Sequence, residues 1–357
     1  MKKIIIYIVG LLLLIVIGSV VFYNYSLSST GNKNDKVTIK IESGSTTKGI
    51  IKELHNKGLV RNEFTSYLYV KFNNISNLQA GTYELNKGMS FKKIMSVIGN
   101  GDVIDDSIKI TFVEGKRLKY YAKVIAKKYK YTEDEILKKW NDKEYLKKLV
   151  DKYWFLTDEI LDDNIYYALE GYLYPDTYMF SKDASIEEIT DKLLDMMGKY
   201  LDEYKDKISG LGEKVNTMHK VLTLASIVEL EGAKSDDRAG IAGVFFNRLN
   251  NGWSLGSDVT TYYAAQIDFS DRDLRQVEID EVNHYNTRPA AMAGKLPIGP
   301  ICSPNIDSIK AVFNPKMSDY YFFVADKYGK TYFSKTNGEH ESIVADLKNK
   351  GLWYVYK

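Results

Sequence analysis

An α+β fold is predicted for this 357-residue chain: an N-terminal membrane-spanning helix, a small mixed unit and a larger mixed domain. Three observations predict it. An uncharged apolar run near the N-terminus gives way to sequence of water-soluble composition. Short segments that alternate apolar and polar residues, such as Val37, Ile39 and Ile41, mark strands with one buried face. Between and after them lie apolar residues at helical spacing, several preceded by N-cap signals.

The apolar run covers residues 4–23, IIIYIVGLLLLIVIGSVVFY. At helical rise it crosses the roughly 30 Å hydrocarbon core of a bilayer. Lys2 and Lys3 precede it, and the next basic residue is Lys33. The positive-inside rule then places the N-terminus in the cytoplasm and the bulk of the chain outside. A cleaved signal peptide would carry a shorter apolar region and a small-x-small site. Val20, Val21 and Phe22 stand where the small residues would be, so residues 1–25 are expected to stay as a single-pass anchor. Residues 26–36, polar and glycine-containing, read as a flexible linker.

Charge is balanced, with 49 basic and 47 acidic residues. That argues against a nucleic-acid partner, which would call for a basic patch or stripe. Cys302 is the sole cysteine, so no internal disulfide can form and packed cores must hold the fold. The 28 tyrosines are read mostly as ordinary packing, with sugar-stacking platforms as the alternative.

The first unit is expected over residues 37–103. After the strand at Val37, the spacing of Ile50, Ile51 and Leu54 predicts a helix stopped at Gly58. Phe64, Tyr67, Leu68 and Lys71 predict a second helix, with Asn62 as its cap. A strand at 81–85 and a short helix capped by Ser90 follow. Strand, helix, helix, strand is the order of a LysM-type carbohydrate-binding module, with one helix added.

The second unit, residues 104–357, opens with a strand at 108–112. Thr132 with Glu135, and Ser185 with Glu188, have capping-box spacing before apolar helical runs. Between them EGYLYPDTY at 170–178 is aromatic, proline-containing and irregular. Helices are expected at 221–231, 239–249 and 339–347, and strands at 320–324 and 331–334.

The helix at 221–231 carries the chemistry-bearing groups. Leu222, Ala225, Ser226 and Glu229 share one face. A carboxyl among such neighbours would be partly desolvated, raising its pKa as a general acid requires, although spacing alone favours ordinary exposed helix glutamates. Glu231 has apolar neighbours too, in Leu224, Ile227 and Val228, and spacing does not choose between the two. HExxH, CxxC and G-x-S-x-G patterns are lacking, as is a glycine-rich phosphate loop. His55, His219, His284 and His340 show no metal-ligand spacing, which leaves only a spatial cluster of His219, His284 and His340 as a route to a metal or Ser-His site. No cofactor or metal is expected.

Six ordered motifs give the decisive pointer. They are EGYLYPDT at 170–177, ASIVE at 225–229, FNRL at 246–249, LGSDVT at 255–260, YNT at 285–287 and LPIGPICSP at 296–304. The chain resembles the endolytic transglycosylase family of the YceG-like type, with Val259, Ile298 and Ser303 as departures from its usual motifs. The resemblance implies that Glu229 is the catalytic acid. It implies as substrate the β-1,4 bond between N-acetylmuramic acid and N-acetylglucosamine in nascent peptidoglycan strands. The product would be a 1,6-anhydro-muramic end, formed with one carboxyl serving both proton transfers. Asn247, Asp258, Thr260, Tyr285 and Asn286 are expected in the substrate groove, with Glu170 and Tyr174 from the upstream motif. Partnership with peptidoglycan synthases, including penicillin-binding proteins, and a place in the bacterial cell membrane are implied as well. The rival readings are a non-enzymatic glycan-binding scaffold for those synthases and a muramidase that hydrolyses the same bond.

Overall fold

The computed structural model describes residues 2–104, 107–232 and 234–353. Two compact units meet between Ser107 and Ile108.

The first unit begins with helix α1 (Lys2–Ser26). Its stretch Ile4–Ser26 is long and apolar enough to cross a membrane, and its side chains from Ile4 to Phe22 are exposed. Strand β1 (Lys36–Ile41), helices α2 (Thr47–Asn56) and α3 (Glu63–Phe72), strand β2 (Gly81–Asn86) and helix α4 (Phe91–Asn100) follow. β1 and β2 pair antiparallel, with Ile39 opposite Tyr83. Thr46, Asn62 and Ser90 cap their helices by accepting the N–H of Gly49, Thr65 and Lys93. The alternate residues of the strands and the inner helix faces meet in a core of Ile39, Leu54, Tyr83, Leu85, Ile94 and Ile98. The expected linker is not slack. Thr30 and Gly31 donate to the carbonyl of Lys87, and the Thr30 hydroxyl donates to Gly58 O at 2.7 Å. Small polar residues that read as flexible here supply hydrogen bonds that lay the segment against the unit.

The second unit is mainly helical. Strand β3 (Ile108–Thr111) leads into helices α5 (Leu118–Ala126), α6 (Glu133–Trp140) and α7 (Lys143–Lys152). Strand β4 (Thr177–Phe180) and the long helix α8 (Ile186–Leu201) follow. Then come α9 (Met218–Glu231), α10 (Ser235–Asn250), α11 (Asp258–Ala264), α12 (Gln276–Asp280) and α13 (Ile306–Phe313). The hairpin β5 (Phe322–Ala325) and β6 (Thr331–Ser334) and helix α14 (Asn337–Asn349) complete it. β3 pairs antiparallel with β4, and β5 with β6. The segment expected to be irregular throughout thus ends in a strand, because its partner lies 66 residues upstream, where Thr111 meets Thr177. Both capping boxes form, at Thr132–Glu135 and Ser185–Glu188.

α9 is the centre of this unit. Apart from Lys220 it is buried from Met218 to Val228, packed against α10, α11 and α13. Such a helix has no polar stripe; Lys220 in its first turn and Glu229 to Glu231 at its C-terminal end are its partly exposed residues. α10 starts four residues before the expected Ala239, with Asp236 and Asp237 in its first turn, where acidic groups favour a helix N-terminus. Gly171, at φ +79°, packs so tightly that a Cβ there would lie 2.4 Å from Pro300. This close approach joins the 170–177 and 296–304 motifs, and glycine alone permits both the conformation and the contact.

Candidate active site

The C-terminal end of α9 delivers Glu231 to a groove of about 920 Å³. The far walls are the 255–259 loop, the β5 strand with residues 326 and 327, and the side chains of Arg248, Arg288 and His340. The Ser257 hydroxyl donates to Glu231 Oε1 at 2.6 Å. Burial pushes the Glu231 carboxyl above the usual carboxylate range, and Asp258 adds in the same direction. The Ser257 hydrogen bond and the guanidinium groups of Arg248 and Arg288 act against this rise. Arg248 is itself fixed: its Nε donates to Tyr321 O at 2.7 Å, a second nitrogen donates to Leu255 O, and its guanidinium lies over the Phe322 ring.

Glu229 lies elsewhere. Its side chain is 5% exposed and does not line the groove. Arg238 Nη2 donates to its Oε1 at 3.1 Å. Asn305 N at 3.0 Å and Ser308 Oγ at 2.7 Å donate to its Oε2. Glu229 therefore ties α9 to the first turn of α13 and offsets the charge of a nearly buried arginine. Two positions along the helix turn a side chain by about 200°, which is why neighbouring glutamates meet such different surroundings.

The other expected groove residues divide sharply. Asp258 lines the groove, its Oδ1 accepting from Arg288 Nε at 2.6 Å. Thr260, Asn286 and Tyr285 are fully buried. The Thr260 hydroxyl pairs with that of Thr287 at 2.8 Å, and Thr287 in turn accepts from Ser257 N. Asn286 donates to the carbonyls of Glu278, Ile279 and Glu281 and accepts from the Thr261 hydroxyl. Tyr285 packs on Tyr166 and Tyr263. Thr260, through Thr287, thus braces the 255–259 loop, while Asn286 ties α11 to the end of α12. Asn247 donates to Ser318 O and Tyr320 O, both at 2.8 Å, and so fixes the approach to β5. Tyr174 is buried and stacks on Tyr200 at 4.4 Å.

Glu170 is likewise an interior residue. It accepts from Leu118 N at 2.8 Å and from the Tyr263 hydroxyl at 3.2 Å. The first of these bonds supplies the cap that Arg117 does not give to α5. Burial raises its pKa to about 8. The folded protein thus holds a proton on Glu170 that the unfolded chain releases near pH 4.5. Stability from this group is full below that unfolded value and is lost as pH climbs through about 8. Thermal melts should accordingly show the wild type losing several degrees of Tm between pH 5 and 9 relative to Glu170→Gln, which has no such proton to lose. Parallel curves for the two proteins would contradict this.

The histidines serve other purposes. His219 bonds Tyr172 Oη through Nδ1 and Ile298 O through Nε2, both at 2.6 Å. His340 stacks on Phe322 at the groove. Among the described residues no group of three His, Cys, Asp or Glu side chains is placed to hold a metal. Arg248, Arg288 and the β5 wall were missed in the sequence. Only Arg248 stood inside a quoted motif, and nothing in the spacing brings β5 to the end of α9.

Residues 39–346 match the YceG-like family. The chain belongs to that family. Relatives of this YceG-like protein include one named endolytic murein transglycosylase in Bacillus subtilis (strain 168), 35% identical over 91% of this chain and 89% of the relative. A second of that name, from Streptococcus pneumoniae serotype 2, is 33% identical over 92% of this chain, which spans 62% of that longer protein. A crystal structure of a yceG-like protein from Listeria monocytogenes is 33% identical and superposes with a TM-score of 0.61, covering 87% of this chain and 99% of the other.

Proposed function

We propose that this YceG-like protein is an endolytic murein transglycosylase, with Glu231 as its general acid and base. The observation that carries the reading is Glu231 itself: one groove-lining carboxyl with a raised pKa and a serine hydrogen bond, in a family whose similar members bear that name. Glu231 protonates the glycosidic oxygen as the muramic C1–O bond breaks. The 2-acetamido group of the muramic residue stabilises the oxocarbenium-like centre. Glu231, now a carboxylate held by Ser257, takes the proton from the muramic C6 hydroxyl. That oxygen bonds to C1, closing the 1,6-anhydro ring and returning the proton to Glu231. The sequence resemblance points to Glu229 for this role; its ion pair with Arg238 and its absence from the groove lining favour Glu231. A non-enzymatic scaffold would need neither a raised carboxyl pKa nor a donor poised on it.

In the fuller reading α1 anchors the protein with its N-terminus inside, and cleavage of strands near the membrane limits their length beside the synthases that make them. The first unit binds glycan in LysM-like fashion. A cleft of Thr46, Lys48, Tyr67, Lys71 and Asn74 supports this, with the Lys48 ammonium 5.1 Å above the Tyr67 ring. One digestion tests both units. Purified strands cut in ¹⁸O-water should give long fragments ending in 1,6-anhydro-muramic acid without heavy oxygen. Tyr67→Ala should raise KM for long strands and spare kcat. A reducing end carrying ¹⁸O would mean hydrolysis and end the transglycosylase reading, and an unchanged KM would end the glycan-binding one.

A further inference from the structure

On the face of α3 turned from the core, Phe64, Leu68 and Phe72 follow one another at i, i+4 and i+8. They form a single apolar stripe about 12 Å long at helical rise. Phe64 is 69% exposed and Phe72 71% exposed, unlike the buried Thr65, Ser66 and Val70 of the same helix. Such a stripe on a water-facing helix marks an interaction surface. Its position says which kind. Phe64, Thr65 and Leu68 share a cleft with Ile15, Val16, Ser19, Phe22 and Tyr23 of α1, which is long and apolar enough to cross a bilayer. Those α1 residues belong to the helix's C-terminal half, on the side of the membrane from which the first unit emerges.

The join between α1 and the unit has no slack to lift the stripe away. Phe91 N donates to Leu27 O at 3.0 Å, and Arg61 donates to Ser29 O at 2.6 Å while lying over the Tyr25 ring. Tyr23, Tyr25 and Arg61 make an aromatic and cationic collar of the kind found at a membrane–water interface. On the far side of α3, Glu63 turns from the stripe to pair with His55 at 3.2 Å.

We infer that α3 is a second membrane contact: the Phe64–Leu68–Phe72 stripe sits in the outer part of the same leaflet that surrounds the end of α1. The first unit then lies on the lipid surface rather than swinging from a tether. The inference rests on α1 being a membrane span, and the test separates the two. The full-length chain is reconstituted in phosphatidylglycerol–phosphatidylcholine vesicles with a bilayer-dissolved aryl diazirine, photolysed, and mapped by peptide mass spectrometry. Adducts are expected throughout α1, and on Phe64, Leu68 and Phe72 at several-fold the level on α2. Labelled α1 with α3 no higher than α2 would overturn the inference and leave the anchor standing. The same result with chain-to-chain crosslinks through the stripe would assign it to a second copy instead. An unlabelled α1 would remove the anchor and the stripe's occupant together.

Discussion

Glu231→Gln should slow strand cleavage by at least about a hundredfold, in line with loss of a general acid, while Tm stays nearly unchanged. Glutamine keeps the shape of the side chain and can still accept the Ser257 hydroxyl, whose bond to Glu231 is 2.6 Å. It cannot deliver a proton of the needed acidity. The first step requires the protonated acid, so the wild-type rate should fall as pH rises through the raised pKa of Glu231. The Ser257 hydrogen bond lowers that pKa. Ser257→Ala should therefore carry the alkaline limb of the pH–rate profile upward. Product release from defined glycan strands, followed across pH for the three proteins, checks each point. Full activity in Glu231→Gln would remove this residue from the chemistry.

Glu229→Ala should have its large effect on stability. Its carboxylate and the Arg238 guanidinium are 5% and 11% exposed. Removing one partner of such a pair strands the other, at a cost of about 3–5 kcal/mol. The amide of Asn305 and the hydroxyl of Ser308 lose their acceptor as well, so the first turn of α13 loosens. Denaturant unfolding of Glu229→Ala against wild type measures this. Glu229→Gln, which retains an acceptor for α13, should lose less stability and keep most of its activity once folded. An inactive Glu229→Gln of unaltered Tm, beside an active Glu231→Gln, would restore Glu229 as the acid and overturn the assignment to Glu231.

The candidate site was legible in part, and the pattern of what was missed has a physical cause. Motif positions such as Thr260, Tyr285 and Asn286 were expected on the substrate. All three are buried, and Thr260 braces through Thr287 the loop that carries Ser257 and Asp258. A site needs its supporting shell as much as its reacting groups, and a motif string does not say which of its letters face outward. β4 escaped notice because its pairing partner is distant in sequence. α11 escaped because Val259, Thr260 and Thr261 are weak helix formers that tertiary burial overrides.

By itself the sequence determined the apolar helix, the caps, the alternating strands, the two-unit division and the family, since each is carried by local spacing or by a string of residues. Spacing left Glu229 and Glu231 alike and the family resemblance pointed to Glu229, while the tertiary structure gives the two carboxyls different surroundings. The two share a helix, a residue type and apolar neighbours, and they differ in what other elements bring to them. α10 and α13 close over Glu229 with Arg238, Asn305 and Ser308. The 255–259 loop and β5 leave Glu231 at an open wall with Ser257. The pKa and reach of a carboxyl are set by desolvation and by partners distant in sequence, and the folded chain alone brings those partners to it.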